Sequence, residues 1–125
     1  MDADLLSINE ARRAAESAWE AFRKFRGTDV SLIDDMVQAM ASAVEPESAR
    51  VGAMAAEETG YGNAEDKRLK NLFNSLTVAD WLRNVRTLGV LWQDEVTRVA
   101  AIGEPMGVIA ALIPVTNPTS TIIYK

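Results

Sequence analysis

The sequence contains no cysteine and no histidine among its 125 residues. These absences exclude a thiolate nucleophile, a serine–histidine pair and an imidazole metal ligand within the chain. They also exclude any disulfide framework. The carboxylates that remain are scattered over helical stretches, so we predict no metal site. On its own, the chain is poorly equipped for covalent catalysis.

Basic residues are outnumbered, with 13 lysines and arginines against 18 acidic residues and a net charge of −5. Because nucleic-acid binding depends on clustered basic side chains, we predict no nucleic-acid partner. The longest apolar run, residues 108–114, is too short to cross a bilayer, and the acidic N-terminus lacks the apolar core of a signal peptide. We therefore predict a cytoplasmic protein with no membrane contact.

Helical periodicity dominates the first 85 residues. The pair Ser7 and Glu10 is typical of a capping box, and Gly27 is a natural end for the helix that follows it. The apolar residues of this helix recur at steps of three and four, and we expect them to pack in the core: Ile8, Ala11, Ala15, Ala18, Trp19, Phe22 and Phe25.

Three further helices are predicted. The second begins near Asp29 or Ser31 and ends before Pro46, which suits the first turn of a third helix. Glycines at 60 and 62 end the third, and the fourth begins near Asn63 or Ala64. The apolar stripe of the fourth helix contains Leu69, Leu72, Phe73, Leu76, Val78 or Ala79, Trp81 and Leu82.

After residue 85 the pattern changes to strands. The runs TLGVLW and VTRVAAI, separated by QDE, predict a β-hairpin. Residues 106–113 are apolar or glycine throughout, which is typical of a strand covered on both faces of a parallel sheet. In TNPTS, Asn117 suits the N-cap of a final short helix and Pro118 its first position.

A strand of that type needs a parallel neighbour, and the chain supplies none. We therefore predict an α/β protein with an incomplete fold, which the remainder of a longer protein or another chain completes. The predicted parts are a helical region at 1–85, a hairpin at 86–105 that could serve oligomerisation, and a strand–turn–helix unit at 106–125.

The run GEPMGVIAALIPVTNPTSTIIYK resembles the N-terminal part of the aldehyde dehydrogenase superfamily. Its PVTNPTST turn is similar to that of the coenzyme A-acylating branch, which includes acetaldehyde dehydrogenases and the aldehyde half of aldehyde–alcohol dehydrogenases. The block EETGYGNAEDKRLKN is similar to a helix junction of the same branch. The resemblance covers most of the chain.

This resemblance implies an NAD-dependent oxidation of an aldehyde, with coenzyme A as cosubstrate and an acyl-CoA as product. It implies a helical part, a hairpin and the first βα unit of a dinucleotide-binding domain, usually in a homo-oligomer. The family's nucleophilic cysteine lies downstream of the matched region, and this chain contains none. The segment is therefore expected to be inactive alone.

The resemblance also implies roles for individual residues. Thr116 and Asn117 are the two candidate donors to the oxyanion of the reacting aldehyde. The expected cofactor wall consists of Leu112, Ile113, Pro114, Val115 and Thr116. The alternative role for Asn117 is that of an ordinary N-cap. For Thr119 and Ser120, phosphate binding at the helix start is one possible role, and capping of the helix is the favoured one.

Three other interpretations stay open at this point. The chain could be a free-standing helical interaction module, because the edges of an unfinished sheet recruit partners. It could be a truncated copy without activity. A piece of a non-acylating semialdehyde dehydrogenase is a weaker alternative, since the Thr-Asn-Pro turn argues against it.

Overall fold

Five α-helices, one π-helical segment and one two-stranded sheet make up residues 2–125, the part of the chain that this computed structural model describes. The elements are α1 (Ala3–Phe25), α2 (Val30–Thr59), α3 (Ala64–Leu72), the π-helical segment (Phe73–Thr77), α4 (Val78–Leu82), β1 (Gly89–Asp94), β2 (Val99–Gly103) and α5 (Pro118–Tyr124). This mixture of helices and a single hairpin confirms the predicted fold class. None of these helices is long and apolar enough to cross a membrane.

The chain forms two units that alternate along the sequence. The first unit contains residues 2–29 and 87–110, with α1 and the hairpin. The second contains residues 30–86 and 111–125, with the other helices. The division into 1–85, 86–105 and 106–125 stays a prediction about the complete protein.

Helix α1 begins earlier than predicted, at Ala3 rather than near Ser7, with the acidic Asp4 in its first turn. It ends as predicted, because Gly27 adopts a φ of 89° that other residues rarely adopt. The expected core packing of its apolar stripe is wrong: none of its described residues is buried, and Trp19 is exposed. Within its own unit, only the hairpin and a short extended segment are available to cover it.

Residues predicted as two helices form the single 30-residue helix α2, so the expected break at Pro46 is wrong. A proline inside a helix costs about 3 kcal/mol because it removes one backbone hydrogen bond and crowds the preceding turn. Packing offsets that cost here. Ser48, Gly52 and Ala55, which follow the proline, are buried, and the close approach of α3 at Gly52 shows that α3 packs on this part of α2.

The chain from α3 to α4 buries a largely polar face. Its buried residues recur every four positions: Lys67, Asn71, Ser75 and Ala79. The apolar stripe lies on the exposed side, where Phe73 is 57% and Trp81 is 65% exposed. The stripe therefore does not pack in the interior of this unit.

The start of α3 is as predicted. Asn63 is its N-cap, and the Asn63 Oδ1 accepts a hydrogen bond from the backbone N–H of Asp66 at 2.8 Å. Glu65 and Asp66 place negative charge in the first turn, where the helix dipole favours it.

Replacing Asn63 by alanine should lower the free energy of unfolding by about 1 kcal/mol, because one terminal N–H of α3 loses its acceptor. Urea denaturation followed by far-ultraviolet circular dichroism measures this change. The matched control is Asn84→Ala, since Asn84 is exposed and its side chain makes no hydrogen bond among the described residues. Equal midpoints for the two variants would contradict the capping role.

The predicted hairpin is confirmed, with β1 and β2 antiparallel and Gly89 paired with Gly103. A bulge at residue 91 interrupts the register. In the connecting turn, the Asp94 carboxylate accepts hydrogen bonds from the Thr97 hydroxyl at 2.6 Å and the Val96 N–H at 2.8 Å. These bonds lower the pKa of Asp94, so their stabilising contribution is present above the ordinary carboxyl pKa and is lost as the pH falls through the lowered value.

Residues 104–113 follow the hairpin without joining a sheet among the described residues. A strand is defined by its backbone hydrogen bonds to a neighbouring strand. In the described part of the chain, β1 and β2 pair only with each other. The predicted strand Met106–Ile113 is therefore wrong for the described chain, because no neighbouring strand is available to pair with it. Side chains of this segment are exposed to solvent: Met106 is almost wholly exposed and Leu112 is fully exposed.

Candidate active-site turn

The segment of interest is the turn at residues 114–117 and the start of α5. The N–H of Asn117 donates to the Pro114 carbonyl at 3.3 Å, which closes the turn. The Asn117 carbonyl then accepts from the N–H of Thr121 at 3.4 Å and from the Thr121 hydroxyl at 2.7 Å. As predicted, Asn117 is the N-cap of α5 and Pro118 is its first residue.

The Asn117 side chain makes no capping hydrogen bond. Its backbone occupies the N-cap position, but its amide is not used to satisfy the helix N-terminus. The half-buried Asn117 lines a shallow pocket of about 390 Å³. The other lining residues are Leu69, Lys70, Phe73, Asn74 and Ser120. Of the two roles considered for this residue, capping through the side chain has no support in the geometry.

The residues expected to form a cofactor wall, 112–116, run from just before the turn into it, and all of them are exposed. Leu112 is fully exposed, and Ile113, Pro114 and Val115 also present surface to solvent. They form an open apolar segment that leads into the turn. Their role in binding a cofactor stays a prediction.

Lys67 of α3 was not among the candidate site residues predicted from the sequence, where its segment was interpreted as a helix start and a family-like helix junction. The side chain is buried, with 4% of its surface exposed, and its Nζ donates to the Thr116 carbonyl at 3.0 Å. Burial of an ammonium group is costly unless it is hydrogen-bonded. The bond to Thr116 therefore ties α3 directly to the turn.

Two asparagines of the same helical region also form hydrogen bonds to the start of α5. Asn71 is fully buried; its amide nitrogen donates to the Ser48 carbonyl at 3.1 Å and its Oδ1 accepts from the Thr119 hydroxyl at 3.0 Å. The Asn74 amide donates to the Ser120 carbonyl at 2.8 Å. One signal could have revealed this face in the sequence: Lys67, Asn71 and Asn74 recur at helical spacing opposite the apolar stripe.

Neither hydroxyl at the start of α5 acts as predicted. Thr119 donates to Asn71 rather than capping the helix. The Ser120 Oγ is buried and has no hydrogen-bond partner among residues 2–125, which carries a desolvation cost of about 1–3 kcal/mol. Phosphate binding by either residue has no support in these contacts.

The turn offers two side-chain groups that can donate hydrogen bonds. Thr116 and Asn117 offer a hydroxyl and an amide, which stabilise an oxyanion. The chain has no cysteine. No three metal-ligating side chains in the described part of the chain could hold a metal ion. The role of these two donors stays a prediction.

Comparisons with known proteins identify relatives of this chain. No protein-family model matches the chain. An aldehyde-alcohol dehydrogenase of Streptococcus pneumoniae is 49% identical over 69 residues, which are 55% of this chain and 8% of that protein. An acylating sulfoacetaldehyde dehydrogenase of Cupriavidus necator is 37% identical over 125 residues, covering 93% of this chain and 25% of the relative.

Solved structures show the same relationship. The crystal structure of an acetylating aldehyde dehydrogenase from Geobacillus thermoglucosidasius matches with a TM-score of 0.91 and 46% identity. The match covers 98% of this chain and 27% of the crystallised chain. This chain thus spans about a quarter or less of the length of these relatives.

Proposed function

Since this chain corresponds to an N-terminal segment of the coenzyme A-acylating branch of the aldehyde dehydrogenases, we propose that it supplies the oxyanion donor and part of the cofactor wall of such an enzyme. The reaction of the complete enzyme is the oxidation of an aldehyde with NAD⁺ and coenzyme A to an acyl-CoA, NADH and a proton. The nucleophilic cysteine belongs to the remainder of that enzyme, and this chain alone is inactive.

The observation that supports this role most directly is the unused amide of Asn117. The backbone N–H and C=O of Asn117 both make hydrogen bonds, whereas its side chain makes no capping bond and lines the pocket. A donor held in this way needs little reorganisation when negative charge develops on a substrate oxygen. Thr116, one residue earlier, is the second candidate donor.

The cofactor is proposed to lie against the segment at 112–116. Its exposed apolar side chains fit a flat, largely apolar ring face, and the segment contains no charged side chain. When bound, NAD supplies the hydride acceptor. The role of this chain is to orient that ring and to exclude water from its face.

The exposed apolar surfaces support the proposal that the remainder of the enzyme completes the fold. The unpaired segment at 104–113, the outer side of the π-helical segment and most of α1 all present large apolar side chains to solvent. Contiguous exposed apolar surface of this kind marks an interface. The same surfaces favour the alternative of an interaction module that binds another protein. Assembly into a homo-oligomer and a cytoplasmic location are further parts of the proposal.

The test is an activity measurement on the complete enzyme that carries this segment. We expect NADH to form from an aldehyde only when coenzyme A is present, with an acyl-CoA product detected by mass spectrometry. Acetaldehyde and sulfoacetaldehyde serve as a neutral and a charged substrate. NADH formation that yields a free acid without coenzyme A would instead indicate a non-acylating dehydrogenase. A monomeric, cooperatively melting 125-residue chain, with no activity in any longer form, would favour the interaction module.

A further inference from the structure

A row of three polar side chains connects α3 and the π-helical segment to the turn. Lys67, Asn71 and Asn74 lie on one helical face, because their spacing of four and then three residues is close to whole helical turns. Lys67 bonds the Thr116 carbonyl, Asn71 bonds the Thr119 hydroxyl, and Asn74 bonds the Ser120 carbonyl. Every member of the row thus contacts the turn or the first residues of α5.

The peptide groups on both sides of Asn117 are held by hydrogen bonds, and Lys67 of the row makes one of them. The peptide that precedes Asn117 is fixed at its carbonyl by Lys67 and at its N–H by the Pro114 carbonyl. The peptide that follows Asn117 is fixed at its carbonyl by the N–H and hydroxyl of Thr121. With both peptide planes held, the direction in which the Asn117 side chain leaves the backbone is set.

Among these contacts, the one from Lys67 is the least expected on stability grounds. A buried ammonium that faces a single carbonyl is a costly way to fasten a turn, since an apolar side chain would avoid the desolvation of a charge. Lys67 is buried, and its only described side-chain hydrogen bond is the one to Thr116. Unlike an apolar side chain, it controls the orientation of a peptide group.

We propose that Lys67 is a positioning residue that orients the Thr116–Asn117 peptide and so aims the Asn117 amide at the reacting carbonyl oxygen. The inference rests on the proposed function, because it concerns how the donor of that reaction is held. In this inference Lys67 acts on the Thr116 carbonyl and not directly on substrate or cofactor. Its effect on catalysis passes through the backbone of the turn.

The experiment compares Lys67→Met with Lys67→Arg in the complete enzyme. Methionine keeps the length of the side chain but cannot donate, whereas arginine keeps a donor. We expect Lys67→Met to lower kcat about 10- to 100-fold, the effect of a small misplacement in an active site, with the KM for the aldehyde nearly unchanged. Lys67→Arg should recover part of that loss. Lys24→Met, on the exposed surface of α1, is the matched control and should behave as the wild type.

The result that overturns the inference is a folded Lys67→Met enzyme with wild-type kcat and only a lower melting temperature. If Lys67→Met does not fold, Thr121→Val decides, because it removes the hydroxyl that holds the following peptide while keeping the side-chain volume. An unchanged kcat in Thr121→Val then overturns the inference, and a reduced kcat at unchanged KM supports it. Failure of the proposed function is distinguishable, since the wild-type enzyme would then show no coenzyme A-dependent NADH formation.

Discussion

Gly52→Val is expected to destabilise the helical unit by about 2–3 kcal/mol, the range typical of overpacking at a tight contact. A Cβ atom at position 52 would lie 2.9 Å from the Arg68 backbone nitrogen and 3.1 Å from the Ala64 carbonyl oxygen. Both neighbours are backbone atoms of α3, so they cannot move aside as a flexible side chain could. The helices α2 and α3 must separate. The melting temperature from far-ultraviolet circular dichroism should fall by roughly 10 °C or more.

Two further variants isolate the steric effect. Ala53→Val adds similar volume at an exposed position of the same helix and should cost only a fraction of a kcal/mol. Gly52→Ala should destabilise even though alanine is favoured over glycine in a helix by about 1 kcal/mol. A Gly52→Ala variant more stable than the wild type would show that α3 yields at this contact, and would contradict the prediction.

The same contact also affects the site. α3 carries Lys67, whose bond to Thr116 depends on where α3 lies against α2. A shift of α3 by a fraction of an ångström therefore moves the donor that holds the turn. Loss of stability and loss of turnover should accompany each other in Gly52→Val, whereas they separate in Lys67→Met.

Local sequence signals predicted the ends of elements well. Gly27, Asn63, Asn117 and Pro118 are at the helix boundaries expected of them, because capping and positive φ are decided by a residue and its neighbours. The break at Pro46 was wrong because packing against α3 outweighs the local cost of the proline. Tertiary contacts of that kind leave no local signal.

The direction of the apolar faces was the larger error, and it has a physical cause. Periodicity identifies an apolar stripe but not the surface that covers it. In α1 and in the π-helical segment, the stripes of Trp19 and Phe73 lie outward, while α3 buries Lys67 and Asn71. What covers these stripes is part of the proposal above that the remainder of a longer enzyme completes the fold.

The candidate site was likewise predicted only in part. The turn and its two donor candidates were predicted from a short motif, and the turn, N-cap position and first helical residue agree with the structure. The side chains that hold the turn come from residues 67–74, more than 40 positions earlier. Such a contact could be predicted only from the spacing of polar residues, a weak signal without the fold.

Asn117→Ala in the complete enzyme is expected to lower kcat by about 10²- to 10³-fold, the usual cost of removing one oxyanion donor. The KM for the aldehyde should change little, because the donor acts mainly on charge that develops in the transition state. The melting temperature should also change little, since the Asn117 side chain makes no capping hydrogen bond whose loss would destabilise α5. Steady-state kinetics and a thermal melt of the same preparation measure both effects.

Thr116→Val is the discriminating control, because it removes the other candidate donor while preserving the shape of the side chain. If Asn117 is the donor, Thr116→Val retains most of its turnover, since Lys67 bonds the backbone carbonyl of residue 116 rather than its hydroxyl. A large loss of kcat in Thr116→Val together with a nearly normal Asn117→Ala would assign the oxyanion to the hydroxyl instead. Full turnover in Asn117→Ala with a melting temperature lowered as for a lost N-cap would leave Asn117 a structural residue, because a cap supports the helix in the ground state and the transition state equally.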